Sequence, residues 1–228
     1  MRMLLLSFLL LARTHGMEAQ AKPNEYEHIH PQASKGMKVA FESSVIVFSI
    51  GLQRGASGSG NLVSIDGEIY IVTAAHVVED SIFANAVEKN GNALPIEIVK
   101  VDKLKDVALL KPLKPLEVSK PARIKIRGDN LIGKPVVHCG HPASYTFNVS
   151  RGVISGYHQG YYLVSSMALP GASGSIVFGE KGDMIGIVSA VGMVGTREAV
   201  QLTDNLVFVV PVDYLYLREL LGEGGRVK

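Results

Sequence analysis

Three short segments carry side chains that could act together chemically. Thr73-Ala74-Ala75-His76-Val77-Val78 reads as a strand end passing into a helical turn, with small residues that let an imidazole project from a crowded edge. Lys105-Asp106-Val107-Ala108-Leu109-Leu110 sets a carboxylate at the mouth of a wholly apolar strand. There it can be shielded from water and still hydrogen-bond a histidine, which fixes the imidazole tautomer. Gly171-Ala172-Ser173-Gly174-Ser175 follows Pro170 and precedes a strand. A serine between glycines suits a tight turn whose backbone amides converge on one point, as stabilisation of an oxyanion requires. Each piece alone is weak. Gly-Ala-Ser-Gly-Ser also stands at Gly55–Ser59, and a lone histidine beside a strand is more often structural than a base. Order adds information: His76, Asp106 and Ser173 follow one of the chain orders in which nucleophile triads occur.

The elements that must position these groups are short strands. Val45–Ile50 is a continuous, β-branched apolar run, and Asn61–Ile65 and Glu68–Thr73 flank Asp66-Gly67, a strong hairpin signal. Pro95–Val101 alternates and Val107–Leu110 reads as a buried strand. The proline-spaced segment Lys111–Leu116 breaks the pattern and reads as a linker. A second set follows at Ala122–Ile126, Pro135–Cys139, Thr146–Ser155, Tyr161–Ser165, Ser175–Phe178, Met184–Ala190 and Leu206–Val210. Only Ala75–Asp80 and Tyr214–Leu221 read as helical. The fold class expected is all-β: two six-stranded antiparallel β-barrels with the active site between them and a short C-terminal helix. His76 and Asp106 fall in the first strand set and Ser173 in the second, so a cleft between barrels would join them.

Composition narrows the function. The chain of 228 residues is 47% hydrophobic and 19% charged, enough for a packed core and unlike a disordered chain. Twenty-three basic residues against 21 acidic ones give a net charge of +2, which offers no field for nucleic acid or an anionic membrane. Cys139 is the only cysteine, so an intramolecular disulfide and a multi-cysteine zinc site are excluded. Arg2, the apolar run Met3–Ala12 and Ala19-Gln20-Ala21 describe a secretory signal cleaved after Ala21. That run is shorter than the about 20 residues a membrane span needs. The expected location is secreted or periplasmic; a true start at Met17 or Met37 would make it cytoplasmic. The organisation read from the chain is a signal peptide over 1–21, a flexible lead-in over 22–40 containing His28 and His30, an N-terminal barrel over 41–115 and a C-terminal barrel with its helix over 116–228.

With these segments in place, the chain resembles the chymotrypsin-fold, trypsin-like serine proteases, and within them the HtrA (Deg) type. The resemblance rests on Ser57-Gly58-Ser59-Gly60, TAAHVV at 73–78, DVALLK at 106–111, Gly140-His141-Pro142, Arg151–Ser155, PGASGS at 170–175 and Gly182–Ser189, with Val207–Val210 running into Pro211-Val212-Asp213. It covers about residues 40–221. It implies a serine endopeptidase acting on protein or peptide substrates through an acyl-enzyme, without a cofactor or metal. Ser173 is then the nucleophile, His76 the general base and acid, and Asp106 the group that orients His76. Ser57 falls to the early strand, and the amides of Gly171 and Ser173 form the oxyanion hole. The resemblance also places Met167, Ser189 and Ala190 at the substrate pocket. No acid lies between Ser150 and Ser173 to meet a Lys or Arg side chain. A small or medium apolar residue before the cut is therefore expected.

The chain departs from the family at several points. HtrA-type enzymes usually carry a PDZ domain after the protease, whereas Tyr214–Lys228 is all that follows the last strand here. Gly-Ala-Ser-Gly-Ser replaces the frequent Gly-Asn-Ser-Gly-Gly. Val188 stands where glutamyl endopeptidases place a histidine, and Ala190 where an aromatic commonly follows. Among other candidates, His138, Cys139 and His141 suggest a metal, but neighbours on a strand face opposite ways. Asp80, Asp102 and Asp129 compete as the triad acid, yet none heads a buried strand as Asp106 does. Two alternatives stand beside the enzyme: a catalytically silent protease-fold binding protein and a viral or phage processing protease.

Overall fold

The first barrel is built on the hairpin at Asp66-Gly67, whose φ angles of 49° and 91° give the turn that matches the twist of its strands. It joins β2 (Gly55–Ile65) to β3 (Glu68–Thr73). With β1 (Ser44–Gly51), β4 (Ser81–Val87), β5 (Ala93–Asp102) and β6 (Val107–Pro112), the order is β1-β4-β5-β6-β3-β2, and β1 pairs back onto β2 to close the ring. β7 (Ala122–Arg123) adds to β2 in parallel. The second barrel comprises β8 (Pro135–Gly140), β9 (Asn148–His158), β10 (Tyr161–Ser166), β11 (Ile176–Gly179), β12 (Met184–Gly195) and β13 (Val200–Pro211), closed in the order β10-β13-β12-β11-β8-β9. The two six-stranded antiparallel barrels and the C-terminal helix are thus present. The computed structural model describes residues 29–52, 55–124, 130–142, 145–195 and 200–222; the expected leader over 1–21, His28 and Asp129 lie outside them.

Because successive strand residues face opposite ways, β3 and β6 serve two cores at once. Ile71, Ala108 and Leu110 fill the first barrel with Val45, Val47, Leu62 and Leu94. Val72, Val107 and Leu109 face outward and join Val137, Cys139, Ile176, Phe178 and Val210 between the barrels. Burial on both faces explains why Val107–Leu110 reads as an unbroken apolar run. It also places Asp106 at the edge of the inter-barrel core.

The structure adds elements that the periodicity does not reveal. Over the expected lead-in lies a helix, α1 (Lys35–Ser43), capped by Ser34 Oγ, which accepts from the Met37 amide at 3.3 Å. It buries Ala40 and Phe41, and Gly36 packs against the Gly179 carbonyl with no room for a side chain. The buried Asn61 side chain ties it down. Asn61 Nδ2 donates to Ala40 O and Ser43 Oγ at 3.2 and 2.8 Å, while its Oδ1 accepts from the Ile176 amide at 2.8 Å. Helix α2 (Ala75–Val78) follows β3, and α3 (Tyr214–Leu220) closes the described chain. After β6 the chain passes to β7, which pairs in parallel with β2.

Glu88 holds that passage. It is 1% exposed and accepts from the Glu117, Val118 and Ser119 amides and from Asn92 Nδ2, at 2.7–3.1 Å. Burial pushes its pKa up, but these donors outweigh that and hold it below the ordinary 4.5. A depressed folded-state pKa adds stability above the unfolded value, and this is lost as pH falls through the folded one. Glu88→Ala strands three amides and should cost about 3–5 kcal/mol in urea unfolding at pH 7. The gap to wild type should narrow in acid; a gap constant down to low pH would contradict this role.

Candidate active site

His76 sits on α2, directly after β3, so its backbone is fixed by the buried pair Ala75 and Val77 while its ring stays 47% exposed. Asp106 comes from the turn before β6, at a φ of 55°, a left-handed conformation that Asp tolerates better than most residues. Asp102 shapes that turn: its Oδ1 accepts from the Leu104 and Lys105 amides at 3.0 Å, and its Oδ2 accepts from Tyr216 Oη at 2.8 Å. Asp102, a rival for the triad acid by sequence, is therefore committed to the turn that delivers Asp106. Asp80 is exposed and lines a groove beside His76.

The carboxylate and imidazole meet closely. His76 Nδ1 lies 3.0 and 2.9 Å from the Asp106 oxygens, and the His76 amide donates to Oδ1 at 2.9 Å. Ser189 Oγ donates to Asp106 Oδ2 at 2.5 Å. Burial alone would raise the Asp106 pKa, but the hydrogen bonds from His76 and Ser189 bring it below the ordinary range. A carboxylate can only accept, so the proton of neutral His76 sits on Nδ1 and Nε2 presents a bare lone pair. The hydrogen bond to Asp106 raises the His76 pKa above 6.5 against the opposing effect of burial.

Ser173 lies in the turn leading to β11. Its Oγ donates to the Ser189 carbonyl at 3.3 Å, and among the described residues no hydrogen bond joins it to His76. Bonds of this kind often tighten only in the reacting complex. Within the turn, Ala172 N donates to Leu169 O, Gly174 N to Val188 O and Ser175 N to Ala172 O, at 3.0, 2.7 and 3.1 Å. Among the described residues the Gly171 and Ser173 amides have no such partner, which leaves two donors beside the nucleophile. Gly171 has a φ of 102° and Gly174 of 91°. At Gly174 even a methyl group would overlap Ser59 O and Thr73 Oγ1, so the loop seats directly on the first barrel.

The three pocket candidates separate. Ser189 spends its hydroxyl on Asp106, Ala190 is exposed, and Met167 is 55% exposed. Met167, Ala168 and Leu169 line a small cavity toward β8 with His138, Pro142 and Ala172, to which neither Ser189 nor Ala190 contributes. A larger groove of about 470 Å³ opens beside His76, between Leu52, Ala56, Asp80 and Ile82. Sequence reasoning missed two residues here. One is Ser59, whose string repeats that of the nucleophile; the other is Ser189 as a partner of Asp106.

His138, Cys139 and His141 serve the interior. His141 Nδ1 accepts from the Phe147 amide at 2.9 Å and Nε2 lies 3.1 Å from Ser44 Oγ; burial lowers its pKa to about 3. Burial likewise lowers His138 to about 4 and pushes the Cys139 thiol up to about 12. Among the described residues no group of three His, Cys, Asp or Glu side chains is placed to hold a metal.

Known proteins resemble this chain in sequence and in fold. The profile of the trypsin-like peptidase domain matches residues 58–187. The serine endoprotease DegS of Haemophilus influenzae is 26% identical over 214 residues, which cover 83% of this chain and 57% of that protein. A serine protease HtrA-like protein of Staphylococcus aureus is 26% identical over 175 residues, covering 68% of this chain and 22% of the relative. The crystal structure of the serine endoprotease from Yersinia pestis superposes with a TM-score of 0.61 at 24% identity, over 77% of this chain and 61% of that one. The chain thus spans little more than half of the first relative and about a fifth of the second. The matched segment makes up more than half of the sequence and runs through both barrels, and the chain belongs to the trypsin-like peptidase family.

Proposed function

We propose that this chain is a serine endopeptidase working through His76, Asp106 and Ser173. The observation that carries the reading is His76 Nδ1 held by both Asp106 oxygens, which leaves the Nε2 lone pair to act as the base. Ser173 Oγ turns from the Ser189 carbonyl toward Nε2 and attacks the scissile carbonyl carbon as Nε2 takes its proton. The carbonyl electrons move to oxygen, and the Gly171 and Ser173 amides donate to the resulting oxyanion. Collapse of the intermediate breaks the C–N bond, His76 returns the proton to the leaving amine, and the acyl group remains on Ser173 as an ester. Water, deprotonated by His76, releases the acid and restores the serine. Asp106 holds the tautomer throughout, and Ser189 supports Asp106.

The substrates are proteins or peptides with a small or medium apolar residue before the cut. Supporting this, the chain from Arg151 to Ala172 contains no acid that could pair with Lys or Arg, and the side chain at the expected pocket base is Met167. Arg2 and the Met3–Ala12 run support export as the setting in which the enzyme works. A randomised peptide library should be cut after residues such as Ala, Val or Leu, and Ser173→Ala should cut none. Preferential cleavage after Lys or Arg would overturn the specificity. A silent binding protein is the second reading, favoured only by the Ser173 hydroxyl facing the Ser189 carbonyl.

A further inference from the structure

Ser59 lies in β2, far from the nucleophile in sequence, and is fully buried. Its polar atoms form a clamp between the barrels. Ser59 Oγ donates to the Gly171 carbonyl at 2.7 Å and accepts from the His141 amide at 3.0 Å. The Ser59 amide donates to the Ser173 carbonyl at 2.8 Å. The Ser59 carbonyl accepts from Thr73 Oγ1 at 2.7 Å and packs against Gly174 where a side chain would otherwise stand. Because the His141 amide can only donate, it fills one lone pair of the hydroxyl and leaves the single Ser59 proton for Gly171. The direction of that bond is therefore set.

We propose that Ser59 is the positioning residue of the oxyanion site, an inference that rests on the endopeptidase reading. The carbonyls it grips belong to Gly171 and Ser173, the two residues of the turn whose amides have no backbone partner among the described residues. Gly171, at a φ of 102°, has no side chain to restrict the rotation of its peptide groups. Each gripped carbonyl lies on the peptide plane that follows its residue's own amide, so anchoring it fixes one side of the rotation through which that amide could swing and limits reorganisation as negative charge develops. Ser59 touches neither substrate nor the reacting atoms. Its contribution acts on the transition state more than on substrate binding.

The test compares wild type with Ser59→Ala, Ser59→Thr and Ser59→Cys on a peptide amide substrate, together with the affinity of a peptide boronic acid that forms a tetrahedral adduct on serine. Ser59→Ala should lower kcat roughly 10- to 100-fold, somewhat less than outright removal of an oxyanion donor, with KM changed less than about twofold. Boronate affinity should fall by the same factor as kcat/KM. Ser59→Thr, which keeps the hydroxyl, should recover most of the loss, and Ser59→Cys, a weaker donor, should fall between. If Ser59→Ala does not fold, as checked by circular dichroism, the Thr and Cys pair carries the comparison. A wild-type rate in folded Ser59→Ala or Ser59→Cys, a loss expressed in KM alone, or unchanged boronate affinity would overturn the proposal. An inactive wild type would instead remove the endopeptidase reading beneath it.

Discussion

Asp106→Asn should fold as wild type does and lose about 10⁴-fold in kcat. The carboxylate accepts from His76 Nδ1, the His76 amide and Ser189 Oγ, so the side-chain position is over-determined and an isosteric amide can keep it. What changes is the proton. An amide that presents its NH2 to Nδ1 places the imidazole proton on Nε2, where the base must be empty. The pH profile separates this from general damage. Catalysis needs neutral His76, and its pKa is raised above 6.5 chiefly by the hydrogen bond to Asp106. In wild type, kcat/KM should fall as pH drops through that raised value. In Asp106→Asn the cause of the rise is gone, so the acid limb of the residual activity should move to lower pH. An unshifted limb would mean that Asp106 does not set the His76 titration.

Ser173→Ala should cost more, about 10⁶-fold in kcat, because no other hydroxyl can take over the attack. Ser175 is next in the turn, but its Oγ is buried and donates to Ala172 O at 2.7 Å. Ser57 and Ser59 lie on β2, outside the nucleophile turn, and Ser59 has its proton engaged by Gly171. Residues that act as a unit are non-additive, so the double variant Ser173→Ala/Asp106→Asn should be no slower than Ser173→Ala alone. A further large loss in the double variant would show that Asp106 serves something other than activation of Ser173.

Much of this arrangement is legible in the chain because the site lies on its most strongly patterned elements. The run Val107–Leu110 is apolar throughout since both faces are buried, and that pattern singles out Asp106 at its head. Asp66-Gly67 announces its hairpin through residues that tolerate positive φ. The misses have physical reasons as well. β4 buries only Ala84 and Ala86, while Ile82 and Phe83 are exposed, so its alternation carries little hydrophobic contrast. Helix α1 sets Met37, Ala40 and Phe41 on the core, but that apolar set is short and follows a polar stretch, and the Asn61 and Gly36 contacts that hold it come from distant residues. The roles of Ser59 and Ser189 rest on bonds to partners 112 and 83 residues away, which no local pattern records.

The proposed triad is tested most directly by the reactivity of one hydroxyl. The purified protein should be treated with a fluorophosphonate probe, and the adduct located by intact-mass and peptide mass spectrometry, beside Ser173→Ala. A single adduct on Ser173 that is absent from the variant is the predicted result, since only an activated serine next to a base and an oxyanion site reacts readily. Folded protein that takes no label, or label that persists in Ser173→Ala, would contradict the triad and shift the chain to a binding role on the same barrels.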